Sequence, residues 1–511
     1  MSFPWLTVLA ALPVVGAIAL IALPRGRTTG VRQTAMVFSL ATLVLALVMA
    51  TQYSAGEGGY QLTETHEWIG MFGAYYAVGV NGIGLTLILM TAILTPIVVL
   101  ASWKDGDTGR WSPNAFFAWM LLLEGLAIGV FAAMDVFLFY VLFEATLIPV
   151  YFLIGGFGGA KRSYAAIKFL LYSLVGGLLM LASVVGLYVV SADAGEPSFL
   201  LSDLMSLDIG QTTGRWLFLG FMVAFAIKAP MWPVHTWLPD ATAAGTPGTS
   251  VLLVSVLDKI GTFGMIRFCL GLFPEASDWA SPAVIVLALI SIIYGALLAI
   301  GQDDIRRLIA FTSVSHFGFI VLGIFVLNSQ SASGAALYMF NHGFSTAALF
   351  LVTGILIARR GSANISDFGG VQKIAPLLAG IFLIAGLSSL SLPGLSPFVS
   401  EFLVLAGTFT YSIPAAVVAT VAIVLAALYI LLMYQRTMTG PLRDDNATVT
   451  DLKPREVTAL APAVVLIIAF GFFPQPLLDV INPAVSDTLE HVGVHDPAPE
   501  HPAASTEEVH Q

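Results

Sequence analysis

Charged residues are scarce in this sequence. Lys, Arg, Asp and Glu make up 10% of the 511 residues, whereas hydrophobic residues make up 58%. A water-soluble domain normally carries about a quarter of its residues as charges. The composition therefore excludes an ordinary soluble fold and predicts one embedded in lipid. The formal net charge is −10 and the sequence has no basic patch, which excludes a nucleic-acid partner.

Cysteine is almost absent, since Cys269 is the only one. A single thiol can form no internal disulfide, and an iron–sulfur cluster needs about four cysteine ligands. The sequence also lacks HExxH, Walker and CxxC motifs, and the glycine-rich stretch at 155–159 joins two apolar segments rather than a strand and a helix. We therefore expect no cofactor and no metal in this chain, so that any chemistry uses side-chain protons.

Long apolar runs take the place of the missing charges. A helix needs about 20 apolar residues to cross roughly 30 Å of hydrocarbon, and fourteen segments qualify. They lie at 4–23, 32–52, 79–103, 114–132, 135–155, 164–190, 215–239, 249–272, 281–301, 307–328, 334–358, 376–409, 414–436 and 457–475. The first lacks the features of a cleaved signal peptide, so we expect a retained span. The sequence predicts an all-α integral membrane protein with about fourteen transmembrane helices.

Lysine and arginine are distributed unevenly between the predicted loops. If the N-terminus lies outside and each span reverses direction, Arg215 is the only one in an outside loop, and four lie within spans. The inside loops hold all the others, namely Arg25, Arg27, Arg32, Lys104, Arg110, Lys161, Arg162, Arg306, Arg307, Arg359, Arg360, Lys373, Arg436, Arg443, Lys453 and Arg455. The positive-inside rule then predicts that both termini lie on the outer side of the membrane.

Nine ionisable side chains fall well inside the predicted spans. They are Glu124, Glu144, Lys168, Lys228, Asp258, Lys259, His316, His342 and Glu401. Seven are charged in their reference state, and at about 3 kcal/mol each their exposure to lipid would cost roughly 20 kcal/mol. This exceeds the stability of an ordinary domain, about 5–15 kcal/mol. They must face the bundle interior, one another or water, and such groups typically mark an ion path.

Proline interrupts two of these spans beside a charge. Lys228 precedes two prolines in KAPMWP, and Glu401 follows two prolines in LPGLSPFVSEF. Proline removes a backbone donor and clashes with the preceding turn, so both helices should break near the bilayer centre. The two spans are the seventh and the twelfth, and they run in opposite directions because they lie five apart. This pattern is typical of an inverted repeat with its site at the broken helices.

Four stretches resemble the antiporter-like membrane subunits of respiratory complex I. They read FAIKAPMWPVHTWLPDA, SVLLVSVLDKIGTFGMIRF, LIAFTSVSHFGF and NHGFSTAALF. The resemblance covers nearly the whole chain and implies two inverted five-helix repeats, at about 114–272 and 281–436. N-terminal helices then occupy 1–113, a last helix lies within 437–485, and the acidic composition of 486–511 predicts a disordered tail.

Glu401 favours one type among these subunits. The related L-like and N-like subunits, and subunits of multi-subunit cation/proton antiporters, usually carry Lys in the broken twelfth helix, whereas the M-type family is similar to this chain in carrying Glu. Glu144, in FLFYVLFEATLIPVYFLIG, also matches the M-type pattern. Thr242 departs from the family pattern because it replaces a His, so no role of that His can be carried over.

A proton relay is the mechanism that these residues predict. We expect Glu144 and Lys228 to form a buried ion pair that acts as a switch, because burial favours a neutral amine and a nearby carboxylate favours an ammonium. Lys259 would be the next carrier, and His342 could relay at neutral pH. Glu401 would donate the proton to the outside.

For three further residues, another role stands beside a place in the relay. His316 is either a relay group or a satisfied core histidine. Lys168 either snorkels to the inner surface or lies at the proton entrance. Glu124 could couple this chain to a neighbouring subunit.

The resemblance implies a proton-translocating subunit of NADH-quinone oxidoreductase in the bacterial plasma membrane, driven by quinone reduction elsewhere in the complex. Flavin, iron–sulfur clusters and quinone are then expected in partner subunits, and L-like and N-like subunits are the expected neighbours, together with lipid. Three alternatives stay open: a subunit of a multi-subunit cation/proton antiporter or a membrane-bound hydrogenase relative, a structural membrane anchor, and a solute carrier.

Overall fold

The computed structural model describes residues 3–24, 26–107 and 109–494. Over these ranges the chain is a bundle of α-helices with one two-stranded hairpin. Twelve helical segments in the described ranges are long and apolar enough to cross a membrane. The chain is therefore a mostly helical, multi-pass membrane protein.

The N-terminal part contains four helices and the hairpin. They are α1 (Trp5–Ala22), α2 (Thr28–Ala50), β1 (Gln61–Ile69), β2 (Ala74–Val80), α3 (Gly82–Ala101) and α4 (Pro113–Ala132). The all-α prediction is wrong here, because β1 and β2 pair antiparallel between the spans predicted at 32–52 and 79–103 and reach the start of the second one. Threonine, tyrosine, valine and tryptophan in these strands favour extended backbone. Glu64 fastens the hairpin to α1 by accepting the Leu6 backbone N–H at 2.9 Å.

The next part runs through the first interrupted segment. It comprises α5 (Val136–Ala145), α6 (Leu147–Phe157), α7 (Arg162–Ala194), α8 (Leu201–Met205), α9 (Gln211–Lys228), α10 (Trp237–Ala244), α11 (Pro247–Val251) and α12 (Lys259–Gly264). The span predicted at 135–155 consists of two helices, α5 and α6, which meet at Thr146. Two π-helical segments, Leu252–Leu257 and Met265–Leu270, flank α12.

The C-terminal part contains eight helices within the described residues. They are α13 (Pro274–Ile300), α14 (Ile305–Phe325), α15 (Ser329–Arg360), α16 (Pro376–Ser389), α17 (Ser396–Tyr411), α18 (Ile413–Met438), α19 (Pro454–Phe472) and α20 (Gln475–Val492). The boundary predicted for the tail is wrong, because α20 continues to Val492 and its Asp487 accepts the Gly59 N–H at 2.5 Å. The rest of the predicted tail, 495–511, lies outside the described residues.

Both proline-marked segments are interrupted. The helix ends at Lys228 in the first and at Ser389 in the second, and it resumes at α10 and α17. At the first break, Trp237 Nε1 satisfies a freed backbone carbonyl by donating to Ile227 at 3.0 Å. At the second break, Asn341 Nδ2 donates to the Ser396 carbonyl at 2.8 Å. Broken backbone at membrane depth requires such partners. These two segments account for the difference between fourteen predicted spans and twelve continuous ones.

The hairpin, α8 and α20 share one end of the bundle. Phe199 donates its backbone N–H to the Gly73 carbonyl at 3.0 Å, and the start of α3 packs against Val480 of α20. We call this the hairpin end, formed by residues 51–81, 195–210 and 473–494. Between the two ends, Pro247–Leu270 and α14 are buried over nearly their whole length, whereas α1 and α2 expose many apolar side chains. The interior lies around these buried helices.

Candidate functional site

The Lys259 side chain lies at the centre of the buried interior. Its ammonium is 2.9 Å from the Val254 carbonyl oxygen and 2.6 Å from Nδ1 of His342 on α15. It also lies 4.7 Å from the ring centroid of Phe317 on α14. The lysine is fully buried. Three elements that are distant in sequence thus meet at one protonatable nitrogen.

The π-helix explains why Lys259 reaches the Val254 carbonyl. The Asp258 backbone N–H bonds to the Leu253 carbonyl at 3.0 Å, five residues back. An α-helix would have directed this N–H to Val254, so the wider turn leaves that carbonyl to the lysine. Segments of π-helix of this kind frequently occur at functional sites.

From His342 the titratable row continues towards Glu401. The rings of His342 and His316 lie 5.1 Å apart, and the rings of His316 and Tyr338 lie 5.9 Å apart. The Tyr338 hydroxyl donates to Glu401 Oε2 at 2.9 Å. All four side chains are buried. The structure therefore brings Lys259, both predicted histidines and Glu401 into one row.

The Glu401 carboxylate is held at the second break. Ser391, between α16 and α17, also donates its hydroxyl to Glu401 Oε2. Ser391 has φ of +58°, a left-handed conformation that is uncommon for a residue with a side chain. The interruption thus serves to aim a hydroxyl at the carboxylate, which a continuous helix would not do.

The ion pair predicted between Glu144 and Lys228 is not formed. No salt bridge within 4.0 Å joins them in the part of the chain that the structure describes. The Lys228 ammonium instead lies 4.8 Å from the Phe143 ring centroid, with no hydrogen-bond partner among the described residues. The Glu144 carboxylate packs on Gly177 of α7, where a Cβ atom would collide with it. The prediction failed because α5 and α9 bring Glu144 and Lys228 into the same region, but the two side chains do not point towards each other.

Lys168 belongs to a charge network at the end of the bundle opposite the hairpin. Its ammonium is 2.7 Å from Asp240 Oδ2, and Arg307 Nη1 is 2.6 Å from Asp240 Oδ1. Nearby, the Tyr172 hydroxyl lies 2.7 Å from the Thr236 hydroxyl. The lysine is therefore paired, rather than simply extended towards the surface. Asp240 holds α10 between α7 and α14.

Glu124 lies apart from this row. It is buried in α4, faces Thr95 of α3, and forms no ion pair within the described ranges. The next residue, Gly125, packs on the Ala10 carbonyl of α1. Because only 1% of Glu124 is exposed, a neighbouring subunit could sense it only through the surrounding helices.

A carboxylate in the loop before α19 positions the first half of the second interrupted segment. Asp451 accepts the N–H groups of Leu377 and Leu378 in the first turn of α16, at 3.0 and 2.8 Å. Burial works to raise its pKa, but these backbone donors, that of Leu452 and the Arg359 charge outweigh it. The pKa of Asp451 is therefore held below its ordinary value of 3.8. It caps the helix as a carboxylate.

Tyr338 and Ser391 are the site residues that the sequence prediction missed. Tyr338 lies four residues before His342 on the same helix, so the spacing alone places both on one face. That spacing was a usable signal. Ser391 had none, because its direction depends on the backbone conformation at the break. Among the described residues, no group of three or more His, Cys, Asp or Glu is placed to bind a metal.

A family model described as NADH:quinone oxidoreductase/Mrp antiporter, transmembrane, matches residues 133–426. NADH-quinone oxidoreductase subunit M of Mycobacterium tuberculosis (strain H37Rv) is 49% identical, over 98% of this chain and 96% of that protein. A chain of respiratory complex I from Thermus thermophilus is 32% identical with a TM-score of 0.87, over 96% of this chain and 100% of that one. A chain of the Mrp complex from Dietzia sp. is similar in fold, with a TM-score of 0.83 at 22% identity over 96% and 100% of the two chains.

The two interrupted segments and the buried titratable row, together with the matching family model, define an antiporter-like membrane protein. Within that class, the chain belongs to the family of M subunits of NADH-quinone oxidoreductase.

Proposed function

We propose that this chain moves protons across the membrane as an M-type subunit of NADH-quinone oxidoreductase, driven by quinone reduction in other subunits. The contact of 2.6 Å between the Lys259 ammonium and His342 Nδ1 carries the proposal. A proton can reside on either nitrogen of such a pair, so the contact itself is a transfer step. The buried row on both sides of it gives the proton further carriers.

The proposed topology has fourteen crossings with both termini on the outer side, in two inverted five-helix repeats at about 114–272 and 281–436. One interrupted segment falls in each range, α9–α10 in the first and α16–α17 in the second. With the sixteen positive charges inside, the hairpin end faces outward. Protons would enter at Lys168 and Asp240 and leave towards the hairpin end.

The proposed route passes from the first break to the second. A proton reaches Lys228, moves to Lys259 and His342, and continues by way of His316 to Glu401. Hydrogen-bonded waters bridge carriers that do not touch, because water-mediated hydrogen bonds are nearly as favourable as direct ones. Release from Glu401 to the hairpin end completes the transfer.

Glu144 acts as the switch in this proposal. With its carboxylate on Gly177 and the Lys228 ammonium over Phe143, the pair is open in this structure. Movement of the carboxylate onto the lysine would favour the ammonium, and its withdrawal would favour proton release. The open pair fits the releasing half of the cycle.

The proposed partners are the other subunits of respiratory complex I, with the L-like and N-like subunits as neighbours. Flavin, iron–sulfur clusters and quinone reside in partner subunits in this proposal, and for the clusters the single cysteine of this chain supports it, since a cluster needs about four. Glu124 would couple to a neighbour through packing around α4, since its own side chain is buried.

A subunit of a cation/proton antiporter is the second candidate, and the fold similarity to the Mrp complex favours it. Glu401 argues against it, since those subunits usually carry Lys in the broken twelfth helix. Purification of the native complex distinguishes the two. Flavin and iron–sulfur subunits with NADH activity support the first candidate, and an assembly without them supports the second.

Glu144→Gln tests the switch, because glutamine keeps the shape of the side chain and removes its charge. We expect the assembled complex to move fewer protons per NADH oxidised, measured in proteoliposomes. Glu196→Gln, in the exposed loop before α8, makes the same chemical change away from the row and should have no effect. Proton pumping by Glu144→Gln equal to that of the wild type would overturn the switch.

A further inference from the structure

We propose that Asp258 is a relay group that carries protons from Lys228 to Lys259. This inference rests on the proposed proton translocation and adds a residue to its route. The two lysines lie on different helices, and no contact between their ammonium groups occurs within the described residues. A carboxylate between them would shorten the transfer.

Asp258 points away from the Lys259 side of its helix. It directly precedes α12, and consecutive helical residues diverge by about 100°. Lys259 faces α15, where it contacts His342. Asp258 instead shares a face with Gly261, three residues later.

The Gly261 face packs against the first break. A Cβ atom at Gly261 would lie 2.7 Å from both the Ala229 nitrogen and the Phe225 carbonyl oxygen. The two backbones therefore touch where α9 ends, immediately beside Lys228. Asp258 is thus on the side of its helix that meets the Lys228 segment, one residue away from Lys259.

The surroundings of Asp258 do not suit a structural carboxylate. It is fully buried, and neither carboxylate oxygen has a hydrogen-bond partner in the described part of the chain. Buried structural carboxylates are normally paired, because an unpartnered polar group away from water is strongly destabilising. Electrostatic attraction reaches it from both Lys228 and Lys259. A group that alternates between protonated and ionised forms explains this arrangement.

The transfer balances in two steps. An N–H bond of the Lys228 ammonium breaks and an O–H bond forms on Asp258, which leaves a neutral amine and a neutral acid. The O–H bond then breaks and an N–H bond forms on Lys259, which restores the carboxylate. One proton moves and the total charge is unchanged in each step. Neither step needs an oxidant or a reductant.

Asp258→Asn tests the inference in the assembled complex, because asparagine has nearly the same shape and cannot accept and release a proton in this way. We expect the protons moved per NADH oxidised to fall to the level of Lys259→Ala. Asp258→Glu should recover part of the loss, since it restores a carboxyl group. Asp193→Asn, an exposed aspartate at the end of α7, is the matched control and should pump as the wild type does.

A second measurement distinguishes the relay role of Asp258 from a purely structural role. Infrared difference spectra of the wild-type complex during turnover should contain a protonated-carboxyl C=O band that Asp258→Asn removes. The complexes carrying Asp258→Asn and Lys259→Ala should both assemble fully. Wild-type pumping by Asp258→Asn, with pumping lost in Lys259→Ala, would overturn this inference and leave the proposed function standing. Wild-type pumping by both variants would overturn the proposed function itself.

Discussion

The Lys259 ammonium is a buried charge with close contacts on three sides. A backbone carbonyl, an imidazole nitrogen and an aromatic face surround it, and no carboxylate lies within 4.0 Å in the described residues. A buried cation without a counter-ion is costly. The same surroundings stabilise a neutral amine, which can accept from a histidine N–H. Both protonation states are therefore accommodated, as a carrier requires.

Tyr338 connects the histidines to Glu401. Its hydroxyl donates to the carboxylate at 2.9 Å, and its ring lies 5.9 Å from the ring of His316. A hydroxyl can donate and accept at once, so it can pass a proton without carrying a charge for long. We therefore assign it to the same route.

Tyr338→Phe should slow proton transfer while leaving the fold intact, because it removes only the hydroxyl. We expect roughly tenfold slower pumping, since a positioned proton-transfer group contributes about 10²–10⁴-fold and water can replace part of it. Proton uptake by proteoliposomes containing the assembled complex measures this rate.

Tyr434→Phe is the control for that substitution. Its hydroxyl bonds to the Ala379 carbonyl at 3.4 Å, away from the row, so its removal should leave the pumping rate unchanged. If Tyr338→Phe pumped at the rate of Tyr434→Phe, the hydroxyl would not belong to the route.

At the residue scale, burial of a side chain is easier to predict from the sequence than its contact with another side chain. Lys259, His342 and Glu401 could be chosen because a charge inside an apolar span has few alternatives. The Glu144–Lys228 contact was predicted wrongly, because sequence gives no rotation of one helix relative to another. Helical spacing could have indicated Tyr338, but a tyrosine has no charge to draw attention to it.

At the element scale, the cap on α16 gives a separate prediction. Asp451→Asn should weaken the first turn of α16, because an amide accepts the Leu377 and Leu378 N–H groups less strongly than a carboxylate does. We expect a loss of about 0.5–1 kcal/mol, at the low end for capping because the side chain is partly exposed. Hydrogen–deuterium exchange of the first turn should then be about two- to fivefold faster.

The pH dependence of this cap follows from its lowered pKa. An acid whose pKa is lower in the folded state stabilises the fold above its unfolded value, and this stabilisation is lost as pH falls through the folded value. The difference in the stability of the first α16 turn between wild type and Asp451→Asn should therefore stay constant down to about pH 5. It should narrow only below the ordinary pKa of 3.8. Asp444→Asn, in the same loop, is the control. A difference that narrows between pH 7 and pH 5 would contradict the cap.

Elements differ in how far the sequence predicts them. Both interruptions could be predicted from proline, because proline removes a backbone hydrogen-bond donor whatever the tertiary context. The π-helix before α12 could not be predicted, since it accompanies the contact of Lys259 with the Val254 carbonyl. The hairpin was missed because it lies between two long apolar helices, where a connecting loop was expected. The helical part of the predicted tail was missed because its acidic composition outweighed its apolar face.

At the scale of the whole molecule, α15 joins the parts of the proposed route. His342 and Tyr338 lie on it, one turn apart, and its Asn341 donates to the Ser396 carbonyl at the second break. The helix packs against α14 and α17, and against the π-helical segment before Lys259. It is buried over most of its length. Through α15, a change at the second break can therefore reach the π-helical segment that precedes Lys259.

The protons translocated per NADH oxidised by the complex carrying Lys259→Ala test the central claim most directly. Lys373→Ala, an exposed lysine before α16, is the matched control. We predict that Lys259→Ala lowers this ratio in a fully assembled complex, while Lys373→Ala keeps the wild-type ratio. An assembled Lys259→Ala complex with wild-type quinone reduction and the wild-type ratio would contradict the account.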